Sequence, residues 1–301
     1  MTDRKILVTG CRGQLGSDLM RGLSAYYDVS GIDIENADLT DANSVKRAIE
    51  KQRPMAVLHT AAFTDVDGCE SDRDQAMAVN ADGAENVART CSAIDARMIY
   101  YSTDYVFDGE MKLPYVESDI PDPRTVYGQS KLEGERRVET ILGDYVVLRL
   151  AWLYGEQGGN FVRTIIKKGY EQQRAVQRGE IIEPLKIVDD QIGNPTWTVD
   201  VVRQTRTILE SDLTGVVHCS SEGETSWYGL GQTVFKYLGM PVQVRPCNSE
   251  EYHSPASRPK RSALENRRLH ELGLNRMRLW QVALKEFLSG SKEKLFSCHV
   301  K

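Results

Sequence analysis

Long apolar runs are missing from this chain of 301 residues. Nowhere do about 18 apolar residues follow one another, the length a membrane-spanning helix needs, so membrane insertion is not expected. The opening residues lead into only Ile6-Leu7-Val8 before Thr9 and Gly10, too short an apolar stretch for a secretory leader. The six cysteines, Cys11, Cys69, Cys91, Cys219, Cys247 and Cys298, include no C-x-x-C pair and no His pair at zinc spacing. Neither a metal site of that kind nor a disulfide framework is indicated, and a reduced, cytoplasmic protein is expected. Positive charge is also short: Lys plus Arg number 38 against 43 Asp plus Glu, a formal net charge of -5. Such a surface repels polyanions, so nucleic-acid binding is not expected. With 41% hydrophobic and 27% charged residues the chain has enough apolar material for a sizeable core. Internal repeats and low-complexity tracts are absent from the sequence.

What is present is an alternation. Short apolar runs at Lys5 to Val8, Tyr27 to Ile32, Met55 to Leu58, Arg97 to Tyr101 and Tyr145 to Leu148 are separated by amphipathic stretches at Gln14 to Leu23, Ala42 to Gln52, Arg73 to Ile94 and Lys131 to Leu142. Parallel strands need helical crossovers of this kind. The pattern predicts an α/β fold, a doubly wound parallel sheet of the Rossmann type. After Leu150, Gly and Pro punctuate the chain at Gly155 to Gly159, Glu183-Pro184, Gly193-Asn194-Pro195 and Ser254 to Pro259, which suits a smaller, loop-rich portion. The expected division is a dinucleotide-binding domain over 1–150, rejoined by about 194–220, and a substrate-binding portion made of 151–193 and 221–301. A strand at Gly215 to Cys219 is expected to return to the main sheet. Within 277–301, Leu279, Val282, Leu284 and Phe287 recur at amphipathic spacing and predict a terminal helix.

Gly10-Cys11-Arg12-Gly13-Gln14-Leu15-Gly16 follows the first strand and opens the first helix, with glycines three apart. Glycine lets the backbone turn tightly and lets a diphosphate approach N–H groups at the positive end of a helix. Asp33 ends the second strand, where a carboxylate accepts hydrogen bonds from an adenosine ribose. Dinucleotide binding follows. Asp33 and Glu35 would repel a 2′-phosphate and favour NADH, whereas Arg12 would attract it and favour NADPH, so the preference stays open. Asp38-Leu39 suits either an adenine contact or a helix-terminal acid.

Tyr127-Gly128-Gln129-Ser130-Lys131 puts Tyr and Lys at i, i+4, on one face of a helix. Among 13 tyrosines such a match alone says little. Its neighbour is informative: Met98 to Tyr101 reads as a buried strand ending in Ser102-Thr103-Asp104, and ligands of open parallel sheets bind at the carboxyl ends of strands. A Thr hydroxyl, a Tyr phenol and a Lys ammonium supply what carbonyl reduction requires, because negative charge grows on oxygen as hydride reaches carbon. Tyr127 is the expected acid, its phenol made more acidic by Lys131. Lys131 would also hold a nicotinamide ribose, and Thr103 would orient the substrate oxygen.

With Gly10 to Gly16, Thr103, Tyr127 and Lys131 in place, the chain resembles the extended short-chain dehydrogenase/reductases. Within them it resembles the dTDP-4-dehydrorhamnose reductase family, on Ser102 to Gly109, Arg149 to Gly155, Asn160-Phe161, Val188 to Thr196 and Arg258-Pro259, with matching segments from Lys5 to about Phe287. The resemblance implies reduction of the C4 ketone of dTDP-4-dehydro-6-deoxy-L-mannose to dTDP-L-rhamnose by NADPH or NADH, with Thr103, Tyr127 and Lys131 catalytic. It implies that Gly10, Cys11, Arg12, Gly13, Gln14, Leu15, Asp33, Asp38, Leu39, Ala61, Ala62, Thr64 and Tyr101 line the cofactor together with Tyr127 and Lys131. It also implies that Thr64, Val66, Thr103, Asp104 and Trp152 contact the sugar nucleotide. Some members carry magnesium at a dimer contact; the resemblance places no ligand for it here, and a homodimer is left open. Two departures stand out: Leu150-Ala151 where the family usually has Thr-Ser, and Asn194 where a smaller residue is common. Related dehydratases follow the Thr with Asp-Glu, and here Tyr105 takes the place of that Glu, which leaves reduction without elimination. A non-catalytic NADP-binding regulatory subunit and a sugar-nucleotide epimerase are the competing readings.

Other residues carry double readings. Trp152 suits stacking on a flat ligand or core packing. Asn80 suits a hydrogen bond to active-site backbone or a satisfied buried amide. His59 is expected as a satisfied core residue. Arg258, Lys260 and Arg261 suit either a diphosphate contact or a solvated charged face.

Overall fold

The structure, a computed structural model, describes residues 4–251 and 255–290. Cys298, Ser254 and the end of the tail lie outside the described residues.

Five strands of the first half, β1 (Lys5–Thr9), β2 (Asp28–Ile32), β3 (Ala56–His59), β4 (Arg97–Thr103) and β5 (Tyr145–Leu150), join the strand Gly215–His218 in one six-stranded sheet. The order across the sheet is Gly215–His218, β5, β4, β3, β1, β2, and every pairing is parallel. All four residues of β3 and all six of β5 are buried, as expected where helices cover both faces. Ile6, Val8, Leu58, Ile99 and Val146 face one cluster, with the helices Gln14–Leu23 and Thr198–Leu209. Leu7, Val57, Met98, Tyr100 and Val147 face the other, with the helices Ala42–Gln52 and Gly83–Ala93. The chain runs from β1 outward to β2, then crosses back to β3 on the other side. That reversal opens a crevice at the carboxyl ends of β1 and β3, where ligands of such sheets bind.

Three details differ from the sequence reading. β4 continues through Ser102 and Thr103, because its pairing with β5 extends to Thr103 against Leu150. The stretch from Arg73 to Ile94 is not one helix: a π turn at Ala78–Asp82 separates the helices Arg73–Met77 and Gly83–Ala93. The later part contains three two-stranded ribbons, Leu153–Tyr154 with Thr196–Trp197, Ile192–Gly193 with Thr225–Ser226, and Leu185–Val188 with Val244–Cys247. Strands this short, lying outside the alternation of strand and helix, carry too little periodicity to be read from sequence. A separate cluster joins Ile165, Trp197, Val234 and Phe287 beneath the helices Phe161–Gln177, Trp227–Leu238 and Trp280–Gly290, the last being the described part of the expected terminal helix.

A buried ion pair links sheet to helix. Arg149 of β5 donates to Glu135 of the helix Val126–Ile141 at 2.7 Å from Nη2 and 3.0 Å from Nε, with both side chains 5% exposed. Glu135 also accepts from the Ser102 hydroxyl of β4. Removing one member leaves a desolvated charge with no partner. Glu135→Ala should lower unfolding free energy by about 3 to 5 kcal/mol in chemical denaturation; a loss under about 1 kcal/mol would show that the pair carries little of the stability.

Candidate active site

Gly10 follows β1 with φ +65°, and a Cβ there would fall 2.8 Å from Ala61 Cα. At Gly16 a Cβ would come within 2.0 Å of the Gly10 carbonyl oxygen. The turn therefore packs backbone on backbone at the crevice. It feeds the helix Gln14–Leu23, whose N-terminus has Gly13 at the cap, no capping side chain and no acid in its first turn. Free N–H groups and the positive helix end favour an anion there. Asp33 is held beside the turn: its Oδ2 accepts from the Arg12 amide at 2.9 Å and its Oδ1 from the Ile34 amide at 3.0 Å.

One cavity of about 840 Å³ runs from this turn to the end of β4. It is lined by Gly10, Gly13, Gln14, Leu15, Asp33, Asp38, Leu39, Ala61, Ala62, Thr64, Val66, Tyr101, Thr103, Asp104, Tyr127, Lys131 and Trp152. Two expected cofactor residues are absent from that lining. Cys11 turns beneath the loop, so close to Gly31 that a Cβ there would meet its Sγ at 2.8 Å. The Arg12 guanidinium leans away and pairs with Glu35 at 2.5 Å, leaving its backbone to anchor Asp33. Asp38 lines the cavity and also closes a turn: its Oδ1 accepts from the Thr40 hydroxyl at 2.7 Å and amide at 2.9 Å, and these bonds, the hydroxyl first, hold its carboxyl below the usual range.

At the other end of the cavity the helix Val126–Ile141 begins with Thr125 accepting from the Gly128 amide at 3.1 Å. Tyr127 therefore stands in the first turn and Lys131 one turn on. The Lys131 ammonium donates to the Tyr101 carbonyl at 2.7 Å and lies 4.0 Å from the Tyr100 ring centroid. Burial pushes its pKa down to about 7, with Glu135 opposing. The Thr103 hydroxyl donates to Asp104 Oδ1 at 3.0 Å, accepts from the Tyr105 amide at 3.2 Å and meets the Tyr127 phenol. Asp104 is 2% exposed, and burial raises its pKa to about 6 against the hydroxyls of Ser262 and Thr103.

The expected acidification of Tyr127 by Lys131 is not what the structure shows. Burial is the largest influence and pushes the phenol up, the Thr103 hydroxyl pulls it back, and Asp104 and Tyr105 push it further up. The physical reason is orientation: the ammonium is committed to a carbonyl and a ring, and desolvation weakens its own charge.

Asn80 fulfils both of its readings. It is 1% exposed, its amide donates to Ser130 Oγ at 2.9 Å and to the Phe63 carbonyl at 3.0 Å, and its oxygen accepts from the Phe63 amide at 2.8 Å. The π turn that carries it thus ties the loop after β3 to the helix Val126–Ile141. His59 is satisfied at one nitrogen: Nδ1 meets Thr9 Oγ1 at 2.8 Å, while Nε2 has no partner among the described residues. Burial lowers its pKa to about 3, so it stays neutral. Arg258 and Arg261 lie on carboxylates, Arg258 Nη2 on Asp67 at 3.0 Å and Arg261 on Glu224. Asn194 is structural: it accepts from the Leu264 amide at 2.7 Å and donates to the Gly223 carbonyl at 2.8 Å. Sequence reasoning missed Gln75, Gly158, Gly159 and Trp227, which also line the cavity. The 155–159 loop was legible as glycine-rich, but its seat over the turn, held by Asn160 donating to Gln14 at 2.9 Å, was not. Among the described residues no three His, Cys, Asp or Glu side chains gather as a cation cage, and no helix is long and apolar enough to cross a membrane.

A Rossmann-like parallel sheet with a glycine turn, an acid at the end of its second strand and a Thr, Tyr and Lys lining one cavity defines an oxidoreductase of the short-chain dehydrogenase/reductase type. The family described as RmlD substrate binding domain matches residues 4–292, and the chain belongs to it. It is 38% identical over 289 residues to the dTDP-4-keto-6-deoxy-D-glucose reductase of Streptomyces niveus, covering 94% of this chain and 96% of that protein. A solved dTDP-4-dehydrorhamnose reductase of Clostridium acetobutylicum superposes with a TM-score of 0.90 at 38% identity, covering 96% of this chain and 99% of the other. The Bacillus anthracis enzyme of the same name, solved in complex with NADP, superposes with a TM-score of 0.90 at 35% identity, covering 96% and 100%.

The buried Asp104 carries a pH signature. Its folded pKa, about 6, lies above the ordinary carboxylate value, so the folded state holds the proton longer and stability falls as pH rises from about 4 to about 6. In the cofactor-free protein Asp104→Asn should gain stability over the wild type across that window and keep the gain above it. Denaturation midpoints at stepped pH measure this; parallel curves for the two proteins would refute the assignment.

Proposed function

We propose that this chain reduces the C4 ketone of dTDP-4-dehydro-6-deoxy-L-mannose to dTDP-L-rhamnose, using NADPH or NADH. The observation that carries the reading is the convergence of Thr103, Tyr127 and Lys131 on the cavity that also receives the glycine turn. The residues present suit a dinucleotide. The Gly10 and Gly16 approach leaves no room for side chains, the helix Gln14–Leu23 offers an uncapped N-terminus to a diphosphate, and Asp33 offers its carboxylate to a ribose. When bound, the reduced nicotinamide supplies the hydride.

The protein's own part is to receive the charge that grows on the ketone oxygen. Thr103 and Tyr127 present their hydroxyls together at the end of β4, the Thr oxygen oriented by the Tyr105 amide and by Asp104. Burial keeps the Tyr127 phenol protonated, hence loaded as a donor, and an alkoxide is basic enough to take that proton. Lys131 holds the Tyr101 carbonyl and so keeps the helix that carries Tyr127 in register with the end of β4. Asp104, Trp152, Thr64 and Val66, which line the same cavity, would contact the sugar. The domain assignment follows the same division, the sheet holding the dinucleotide and the portion after Leu150 closing on the sugar.

Two measurements test this. Tyr127→Phe should lower turnover by roughly 100-fold or more while leaving nucleotide affinity similar, read from loss of reduced-nicotinamide absorbance and from binding titration; near-normal turnover would remove Tyr127 from its role. Because Glu35 occupies Arg12 at the rim, Glu35→Gln should release the guanidinium toward a 2′-phosphate and raise the NADPH-to-NADH ratio of kcat/KM about three- to tenfold. An unchanged ratio would mean that Arg12 has no part in the choice.

A further inference from the structure

Trp152 is not open to a ligand on both faces. Trp227 lies on it with ring centroids 3.5 Å apart and planes within 4° of parallel. Gly193 meets the same indole so closely that a Cβ there would fall 2.3 Å from Cε2 and 2.5 Å from Nε1. Trp152 holds this place at φ +44°, a region large side chains enter only where their surroundings enforce it.

The surroundings are specific. Ile192–Gly193 pairs with Thr225–Ser226, which delivers Trp227 as the first residue of the helix Trp227–Leu238. The Trp227 Nε1–H donates to Gln191 Oε1 at 3.1 Å, and Gln191 Nε2 donates to Ser249 Oγ at 2.9 Å. Asp190 accepts from that Ser249 hydroxyl at 2.7 Å, and Asp189 accepts from the Ser226 hydroxyl at 2.5 Å. The Phe161 ring lies tilted by 45° against Trp227 at 4.7 Å. The segment Val188 to Thr196, conspicuous in the sequence but without a task there, is thus the mount of an aromatic pair. Both indoles line the cavity that holds Thr103 and Tyr127.

We propose that Trp227 is a positioning residue for the sugar nucleotide: by stacking on Trp152 it fixes that indole as a rigid apolar wall at the sugar end of the site. Since the Trp227 N–H is taken by Gln191, the part of the stacked pair that lines the cavity offers ring carbon to the C–H side of a sugar, and it offers it already ordered, so that binding does not have to freeze a mobile indole. This rests on the proposed function for the identity of the sugar, and on geometry alone for the wall.

The test compares wild type with Trp227→Ala, Trp227→Phe and Gln191→Ala. Steady-state kinetics with the 4-keto sugar nucleotide should show KM for the sugar raised about tenfold or more in Trp227→Ala, with KM for NADPH within about twofold of wild type. Trp227→Phe, which retains a ring to stack, should recover most of the loss, and Gln191→Ala should fall between. Calorimetric titration of the NADP-loaded proteins with dTDP-L-rhamnose and with dTDP supplies a readout without turnover: Trp227→Ala should weaken the first about tenfold and leave the second nearly unchanged. An unchanged sugar KM, equal weakening of both ligands, or a fall of kcat with both KM values together would overturn the proposal. Wild type that binds dTDP-L-rhamnose but reduces no ketone would defeat the functional reading, and the titrations would still decide the wall.

Discussion

The hydrogen bond from the Lys131 ammonium to the Tyr101 carbonyl, 2.7 Å long and buried, joins the helix Val126–Ile141 to the end of β4. Much of the site's order depends on it. Tyr127 and Thr103 come from segments more than twenty residues apart in the chain, and hydroxyls meet only if strand and helix keep their registration. The joint is reinforced on both sides. Asn80 holds Ser130 to the loop after β3, and Glu135, one turn beyond Lys131, holds Ser102 and Arg149. A lysine used in this way is costly to bury, and the cost is visible in its lowered pKa.

Polar groups that a stable core would avoid are concentrated along this joint. Asp104 is buried with its pKa raised, His59 is buried neutral with one nitrogen unpartnered, and Tyr127 is kept firmly protonated. None of these is an efficient way to stabilise a sheet. Each suits a cavity that must offer hydroxyl protons to an oxygen at which charge develops, because desolvated donors act more strongly than hydrated ones. The opposite end of the cavity has the contrary character: backbone N–H groups, a helix terminus and the carboxylates of Asp33 and Asp38, where shape is set by glycines packed against backbone.

Between the two ends the later part of the chain contributes walls. The loop 155–159 lies over the glycine turn through the bond from Asn160 to Gln14, and the stacked Trp152 and Trp227 indoles line the cavity that holds Thr103 and Tyr127. Ribbons of two residues carry these elements, too short to stand alone, and they hold because each is backed by the cluster around Trp197 and Phe287 or by the polar mount around Gln191.

The order of strands and helices, the glycine turn, Asp33 and the Tyr127 to Lys131 spacing were all readable in the amino-acid string, since they rest on local periodicity and on backbone rules that act within a few residues. The family motifs extended that reading to Thr103 and Trp152. Contacts across the fold were beyond its reach: that Arg12 turns to Glu35, that Cys11 goes under the loop, that Asn80 sits on a π turn, that burial rather than Lys131 governs the Tyr127 phenol, and that Trp227 covers Trp152. Side-chain direction and desolvation depend on which distant segments arrive at the same place, and that information exists only once the chain has closed on itself.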